Sequence, residues 1–440
     1  MNPPINRVLG VLLCVIFSLS HTAWSADLPK SSPEKQGVSS KRLERLNELS
    51  QQYVDEGRVA RIVNLVMRNG KVIHYQATGA RGANDSGPVK RDDLFRIYSM
   101  TKPITAVAAM QLYERGKFQL SDPVSKFVPE LADLQVLNAK GNLEPASRQM
   151  TMHDLLLHTT GMSYGFAAQT DVVDQRYIMA DLWAAKDLDE FAQRVAKLPL
   201  KFHPGERWHY SIAVDITGLV VQRLSGQRFD HYLKEHIFDP LGMEDTFFAV
   251  PESKRERFLP NHFLNPETMK LADYMTAPPP FNYREDVAMM DYFDVTLYSG
   301  GGGLVSTAMD YAKFAEMMRL GGTLNNQRIL GPKTVAFMRS NHLSDDTTVS
   351  LFGESPVAAI GRSGVGFGLG FGVITDSAAA GIMGSDGEYN WGGAAGTVFW
   401  IDPVEEITAI SMIQLMASPW PLRSDLKVGI YQALTESYAD

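Results

Sequence analysis

The chain has 440 residues, of which 45% are hydrophobic and 21% charged, and its formal net charge at pH 7 is −8. These proportions are typical of a globular protein and exclude a disordered or membrane-embedded chain. The negative charge provides no basic surface for nucleic acid, so we expect no nucleic-acid partner.

The N-terminus has the order of residues found in a secretory signal. Arg7 precedes an apolar run over 8–19, and the small residues Ala23 and Ser25 follow it. The run is shorter than the about 20 apolar residues that span a bilayer. We therefore predict a signal peptide over 1–25 and a periplasmic or secreted protein without a stable membrane span, with an uncleaved anchor as the alternative.

The only cysteine, Cys14, lies inside this segment, so the mature chain would contain no disulfide and no cysteine-ligated metal. Histidines and carboxylates show no metal-ligand spacing. The glycine run 300–303 lacks the Lys-Ser/Thr ending of a phosphate-binding loop. We expect neither a metal nor a cofactor.

In chain order, the first predicted elements are a helix over 41–53 and a β-hairpin, 62–67 with 72–75, around Asn69-Gly70. Residues from about 100 to 250 are mostly helical in pattern, with helices over 104–115, 152–157 and 212–224. Residues 251–300 predict long loops, and Ser306 or Thr307 would cap a helix over 311–318. A second hairpin, 397–401 with 407–410, and a helix over 424–438 complete the chain.

Strands near both ends and helices between them predict an α/β (α+β) fold. We expect an antiparallel sheet built from both termini and flanked by helices, with an inserted, mainly helical domain. The predicted division is a sheet domain over 26–115 and 300–440, and a helical domain with long loops over 116–299.

Ser99-Met100-Thr101-Lys102 is the first candidate for catalysis. Residues i and i+3 share a helix face, so the Lys102 amine can reach the Ser99 hydroxyl, and burial would lower the pKa of that amine toward the range of a base. Ser32-Pro33-Glu34-Lys35 has the same spacing but lies in a polar lead-in, where nothing would bury or orient it. The alternative for Ser99 is a helix cap followed by an exposed lysine.

Ser163, in Gly161-Met162-Ser163-Tyr164-Gly165, is the rival nucleophile. Its Gly-x-Ser-x-Gly pattern requires a preceding buried strand, whereas 152–158 has a helical pattern. A histidine downstream is available at His342, but its surroundings look like an ordinary loop. We expect Ser163 to be a turn serine.

Two further segments could complete the site. Tyr210 stands before a predicted helix and could act as general base and acid beside a desolvated lysine, or could simply pack there. Trp391-Gly392-Gly393 would allow close approach of a substrate-binding strand edge. The following N–H, at Ala394, could form an oxyanion hole with the Ser99 N–H. The alternative is a glycine-rich turn beside a core tryptophan.

Taken together, these motifs resemble the serine β-lactamase-like superfamily, in its branch of class C β-lactamases and related esterases. The matching segments are FRIYSMTK (95–102), LLLHTTG (155–161), WHYS (208–211), GGGLVST (301–307) and WGG (391–393). The resemblance implies an active site between a sheet domain and a helical domain. It also implies an acyl-enzyme on Ser99, proton transfer by Lys102 and Tyr210, and an oxyanion hole at Ser99 and Ala394.

Two departures bear on the substrate. Class C β-lactamases have Tyr-x-Asn, where this chain has Ile212 in the third position, and Lys-Thr-Gly, where it has Trp391-Gly392-Gly393. A cation suited to the β-lactam carboxylate is thereby missing. We predict hydrolysis of carboxylic esters, with at most weak β-lactamase activity.

The sequence leaves other activities open. An amidase or D-amino-acid peptidase and an acyltransferase would use the same residues on a small-molecule ester or amide. A non-catalytic binding protein is a further alternative, which the intact motifs disfavour. The sequence does not indicate an oligomeric state.

Overall fold

The computed structural model describes residues 27–273, 292–344, 349 and 363–439. The predicted signal peptide at 1–25 lies outside these residues, as do positions 274–291 of the predicted loop region. Among the helices of the described residues, none has the length and apolar character needed to cross a bilayer.

The strands, in chain order, are β1 (Arg61–Arg68), β2 (Lys71–Gly79), β3 (Phe95–Arg96), β4 (Gln135–Leu137), β5 (Leu143–Pro145), β6 (His262–Leu264), β7 (Leu271–Asp273), β8 (Val305–Ser306), β9 (Thr323–Leu324), β10 (Gln327–Arg328), β11 (Val365–Phe367), β12 (Gly372–Ile374), β13 (Tyr389–Gly392), β14 (Val398–Asp402) and β15 (Ile407–Met412). The helices are α1 (Ser40–Asp55), α2 (Thr101–Glu114), α3 (Met152–Leu157), α4 (Val172–Met179), α5 (Leu188–Val195), α6 (Ala213–Ser225), α7 (Phe229–Leu233), α8 (Asp239–Leu241), α9 (Ala308–Arg319), α10 (Pro332–Met338), α11 (Ser377–Ala380) and α12 (Leu422–Tyr431).

A seven-stranded antiparallel sheet in the order β11-β12-β13-β14-β15-β1-β2 forms the centre of the fold. The two predicted hairpins are β1-β2 and β14-β15, and β1 joins them by pairing with β15, with Val63 opposite Met412. Asn69 and Gly70 both have positive φ, at 51° and 71°, as the predicted tight turn requires. The predicted fold class is confirmed.

Both faces of the sheet are covered, which explains why every residue of β1 is buried. Alternate residues of the strand enter two different cores. Ile62 and Val66 pack with α1 and α12 on one face, whereas Val63 and Leu65 belong to the core on the other face. On that second face α9 packs against β14, β15 and β1.

Helix α2 is buried along nearly its whole length and packs against α6, and α3 and α5 pack against α6 in turn. This explains the apolar composition of α2, because no face of it meets solvent. The structure thus places the start of α2, which carries Lys102 and directly follows Ser99, between the sheet and the helices around α6. The division of the chain into two domains stays a prediction.

Two sequence-based predictions are wrong in part. The region 251–300 contains a 3-10 helix, Glu252–Arg257, and the β6-β7 hairpin rather than loops alone. The last helix ends at Tyr431 and does not reach 438. Beyond it, the Ser39 N–H donates to the Ala433 carbonyl and the Thr435 N–H to the Gly37 carbonyl, so the chain pairs with the segment before α1.

Candidate active site

Ser99 lies in a single 3-10 turn, Tyr98–Met100, between β3 and α2. Tyr98 has a left-handed backbone with φ of 41°, a conformation that costs on the order of 1–3 kcal/mol for a residue with a side chain. The buried Tyr98 hydroxyl accepts a hydrogen bond from Asn261 Nδ2 (3.0 Å), which helps to hold the turn. Ser99 is partly exposed between two buried neighbours, as a reacting group must be.

Lys102 lies one turn further along, on the same side of α2. Its amine donates to Ser99 Oγ (3.2 Å) and to the Gly301 carbonyl (2.7 Å). The side chain is almost fully buried, and burial lowers the pKa of the amine from 10.5 to about 7, although the negative charge of Asp215 acts in the opposite direction. The contact predicted from the i, i+3 spacing is present, and the alternative of an exposed lysine is excluded.

Tyr210 lies directly above the same amine. The Lys102 nitrogen is 4.5 Å from the centre of the Tyr210 ring and 5.1 Å from that of Tyr164. The Tyr210 ring also contacts His158 and Trp391, with ring centroids 4.8 and 5.5 Å apart. The structure therefore brings together Ser99, Lys102 and Tyr210, three residues predicted from separate segments of the sequence.

The end of β13 reaches the Ser99 turn through Gly393. A Cβ at Gly393 would lie 2.5 Å from the Ile97 carbonyl oxygen and 2.3 Å from Thr397 Oγ1, so no side chain fits there. Trp391 packs beside Tyr210 and Phe367. Gly393 thus allows close approach to the backbone just before the Ser99 turn, and the role of the Trp-Gly-Gly segment as a substrate-binding edge stays a prediction.

Gly392 serves another purpose. A Cβ there would lie 2.2 Å from the guanidinium of Arg423 on α12, so this glycine leaves room for the end of the Arg423 side chain. Its role as a substrate-binding residue stays a prediction.

The two N–H groups of the predicted oxyanion hole stand next to backbone groups that are already paired. Met100, the residue after Ser99, donates its N–H to the Ile97 carbonyl. Gly393, the residue before Ala394, donates its N–H to the Thr397 carbonyl. Ala394 packs against the buried cluster that contains Tyr98. Both segments thus meet at the turn that carries Ser99, and the oxyanion hole itself stays a prediction.

The sequence motifs do not include Asp215, a fully buried residue in the first turn of α6. Its Oδ1 accepts hydrogen bonds from Ser299 Oγ (2.5 Å) and the Gly301 N–H (2.9 Å), and its Oδ2 accepts one from the Tyr164 hydroxyl (3.4 Å). The sequence contains an indication of this arrangement. Asp215 is a lone acid in the apolar run 212–221, and a buried acid needs hydrogen-bond donors around it.

His158 is a second residue without a predicted role. It ends α3 in a left-handed conformation and is fully buried. Burial and the nearby Lys102 charge hold its pKa well below the ordinary value, so the imidazole is neutral. The Ser211 N–H donates to its Nδ1 (3.3 Å), which ties the segment carrying Tyr210 to the end of α3. His158 therefore orients Tyr210 by packing.

Ser163, the rival nucleophile, is buried inside a separate polar network. Its hydroxyl donates to Asp174 Oδ1 (2.6 Å) and lies 3.3 Å from His209 Nε2. The Lys201 amine also binds that carboxylate, at 2.7 Å. In a catalytic triad the histidine stands between the serine and the acid, whereas here the serine stands between them.

The surroundings of Ser163 also differ from a nucleophile elbow. Helix α3 and a turn precede the serine, as its pattern predicted, where an elbow needs a strand. His342 lies 3.1 Å from His153 Nε2 and not beside Ser163. Ser32 is exposed at the start of a 3-10 turn before α1. Ser99 is therefore the serine of the three that has a buried amine beside it.

Within the described residues, no group of three or more histidine, cysteine, aspartate or glutamate side chains could hold a metal ion.

The sequence profile of the Beta-lactamase family matches residues 46–432 of the chain. The chain belongs to the Beta-lactamase family. It is 34% identical to Protein Rv1367c of Mycobacterium tuberculosis over 370 residues, which cover 82% of this chain and 87% of that protein. It is 33% identical to Esterase EstB of Burkholderia gladioli over 365 residues, covering 81% of this chain and 86% of EstB.

A solved structure agrees with this assignment. EstCE1, a hydrolase with promiscuous acyltransferase activity, superposes with a TM-score of 0.74 at 26% identity, covering 89% of this chain and 99% of EstCE1. The fold and the esterase-named relative identify this family member as a serine hydrolase or acyltransferase. The resemblance drawn from the sequence motifs is confirmed.

Proposed function

We propose that this protein is an exported hydrolase of carboxylic esters that forms an acyl-enzyme on Ser99. The observation that carries the proposal is the 3.2 Å contact between Ser99 Oγ and the buried Lys102 amine, whose pKa is about 7. Such an amine is partly deprotonated at neutral pH and can accept the serine proton, whereas an exposed lysine with a pKa near 10.4 cannot.

In the first half of the reaction the neutral Lys102 amine removes the hydroxyl proton of Ser99. The serine oxygen forms a bond to the carbonyl carbon of the ester, and the carbonyl electron pair moves onto its oxygen. The N–H groups of Ser99 and Ala394 bind this oxyanion. Collapse of the intermediate breaks the bond to the leaving alkoxide, which takes a proton from Tyr210 as Tyr210 recovers one from Lys102.

The second half repeats these steps with water. Water gives a proton to the Tyr210–Lys102 pair and attacks the acyl carbon, and the bond to Ser99 Oγ then breaks. Ser99 recovers its proton, and the carboxylic acid leaves. Dividing one acyl transfer into two lowers the barrier to each step. The Lys102 nitrogen lies 4.5 Å from the centre of the Tyr210 ring, which supports the assignment of both proton transfers to these two residues.

The surroundings of the site favour a neutral, apolar ester. Trp391 stands where class C β-lactamases carry a lysine, and its ring packs in an aromatic cluster with Tyr210, Trp208 and Phe367, which we take as an aromatic wall of the substrate pocket. An aromatic wall favours apolar groups and offers no positive charge to a substrate carboxylate. The relative EstB is named an esterase, which supports the same substrate class.

Acyl transfer to an alcohol is the second candidate. EstCE1, which shares this fold, is a hydrolase with promiscuous acyltransferase activity. The same residues could serve both reactions, since an alcohol would replace water as the attacking group in the second half.

Hydrolysis of p-nitrophenyl butyrate by the purified protein tests the proposal. We expect Ser99→Ala to abolish the activity and the matched variant Ser163→Ala to retain it while losing about 1–3 kcal/mol of stability, because a buried carboxylate loses a donor. Loss of activity only in Ser163→Ala would refute the assignment of the nucleophile. Faster cleavage of a D-alanyl p-nitroanilide or of nitrocefin than of the ester would refute the substrate class.

Export requires its own experiment. The proposal predicts that the full chain, expressed in a Gram-negative host, is recovered from the periplasm with a new N-terminus after Ser25. Recovery of the uncleaved chain from the membrane fraction would instead indicate an N-terminal anchor.

A further inference from the structure

Asp215 binds the loop 299–301, whose Gly301 carbonyl accepts a hydrogen bond from the catalytic amine of Lys102. It is the third residue of α6, and its side chain is fully buried. Oδ1 accepts two hydrogen bonds from this loop, from Ser299 Oγ at 2.5 Å and from the Gly301 N–H at 2.9 Å. One carboxylate oxygen thus fixes both ends of the segment 299–301.

The other polar group of Gly301 faces the reaction. Its carbonyl oxygen accepts the 2.7 Å hydrogen bond from Lys102, the shorter of the two that this amine donates. A Cβ at Gly301 would lie 2.4 Å from Asp215 Oδ2 and 2.7 Å from the Tyr164 hydroxyl. The loop therefore packs directly against the carboxylate. A shift of Asp215 would move the Gly301 carbonyl, which orients the Lys102 amine.

The polar groups around the amine come from several elements. Ser99 lies on the preceding turn, Tyr210 precedes α6 and Asp215 lies in its first turn, and His158 and Tyr164 follow α3. His158 is neutral and contributes no charge. The Asp215 charge raises the pKa of Lys102 against the larger effect of burial.

We propose that Asp215 is a positioning residue of the ester hydrolysis: it holds Gly301 so that its carbonyl aims the Lys102 amine at Ser99, and its negative charge stabilises the protonated amine that forms as Ser99 attacks. This inference rests on the acyl-enzyme chemistry proposed above. Asp215 accepts a hydrogen bond from the Gly301 N–H, and the Gly301 carbonyl accepts one from Lys102, so the effect on Ser99 passes through these two residues.

A purely structural role for Asp215 would predict a different result. An acid in the first turn of a helix interacts favourably with the helix dipole wherever it stands. Asp310 provides the matched comparison, because it is also the third residue of its helix, α9, and is also buried. Asp310 accepts hydrogen bonds from the Asp245 N–H and Thr246 Oγ1, away from the catalytic amine.

The experiment compares Asp215→Asn with Asp310→Asn. An amide keeps the shape of the side chain and removes its charge. We would measure kcat and KM for p-nitrophenyl butyrate between pH 5 and 9, together with the rate at which a fluorophosphonate probe labels Ser99, and the melting temperature of each variant.

We expect the acidic limb of kcat/KM in Asp215→Asn to move to lower pH by about one unit, because an opposite charge near an amine shifts its pKa by about that much. The value of kcat should fall with little change in KM, since the lost charge acts on the amine and not on bound ester. In Asp310→Asn we expect a lower melting temperature and an unmoved limb.

An unmoved limb in Asp215→Asn, a shift to higher pH, or equal shifts in both variants would overturn the proposal. Should Asp215→Asn fail to fold, Ser299→Ala removes one of the two hydrogen bonds that Asp215 Oδ1 accepts from the loop and keeps the charge of Asp215. We then expect a lower kcat with the limb in place, and an unchanged kcat would overturn the positioning role.

Failure of the proposed function gives a different pattern. If the unmutated protein does not cleave the ester, the function is wrong. The pH dependence of fluorophosphonate labelling then still reports whether Asp215 controls the reactivity of Ser99 through Lys102.

Discussion

Replacing Lys102 by methionine should abolish ester hydrolysis and stabilise the fold, and the stabilisation should be larger at pH 6 than at pH 9. At pH 6 the amine is protonated in both the folded and the unfolded protein, so folding buries a charge. A fall in pKa from 10.5 to about 7 corresponds to a penalty of about 5 kcal/mol. At pH 9 the folded amine is neutral while the unfolded chain still binds the proton, which leaves a penalty of about 2 kcal/mol.

The direction of this pH dependence follows from proton binding. Between about pH 7 and 10.5 the unfolded chain binds more protons at this position than the folded protein, so the contribution of Lys102 to stability rises with pH in that window. The gain in unfolding free energy from Lys102→Met should therefore be about 3 kcal/mol larger at pH 6 than at pH 9. Packing and the lost hydrogen bonds contribute equally at both pH values and cancel in this difference.

Denaturant unfolding of both proteins at the two pH values measures this quantity. Lys427→Met is the control, because Lys427 is also buried but forms an ion pair with the buried Glu388. Removing that partner should destabilise the protein by about 3–5 kcal/mol. An equal effect of Lys102→Met at both pH values would mean that the folded amine keeps an ordinary pKa, and Lys102 could not then serve as the base.

Three further predictions concern the rate of ester hydrolysis. Gly393→Val should lower kcat at least about tenfold, because its Cβ would lie 2.5 Å from the Ile97 carbonyl oxygen. Gly429→Ala is the control and should leave kcat unchanged, because the nearest atom to its Cβ, on Leu46, is 3.4 Å away. Equal rates in the two variants would contradict the close packing at Gly393. The kcat/KM of the unmutated protein should fall about tenfold per unit below pH 7, and a flat profile between pH 5 and 8 would exclude an amine base. Trp391→Ala should raise KM for an apolar ester about tenfold with less effect on acetate esters, measured across a series of acyl lengths, and a uniform change would argue against an aromatic wall.

The parts of the fold that could be predicted depend on local chemistry. Asn69-Gly70 sets a turn by its own backbone preferences, so the position of the first hairpin could be predicted, although β2 continues four residues beyond the predicted end at 75. Ser99 lies in the 3-10 turn that leads directly into α2, and Lys102 lies in the first turn of α2. Their contact therefore has the i, i+3 spacing of neighbours on a helix face. The apolar run of α2 indicated burial, which in turn predicted a perturbed lysine.

The parts that could not be predicted depend on contacts between distant segments. Asp215 bonds to residues 84 and 86 positions away, and no local pattern indicates that a glycine-rich loop will meet it. The helix predicted over 424–438 is shortened because Ala433 and Thr435 pair with the segment before α1. Burial of an isolated acid such as Asp215 can be suspected from its apolar neighbours, but its partner cannot be identified from them.

The pairing of β1 with β15 also determines when the protein can fold. The two strands are adjacent in the sheet, with β1 next to the edge strand β2, yet Val63 and its partner Met412 are separated by most of the chain. Closing a loop of that length costs on the order of 5 kcal/mol in chain entropy before the strands contribute any stability. The sheet therefore cannot form while the chain is being synthesised from its N-terminus, and β1 must wait, with its apolar edge unpaired, until the final hairpin has emerged. Contacts of such high sequence separation are associated with slow folding.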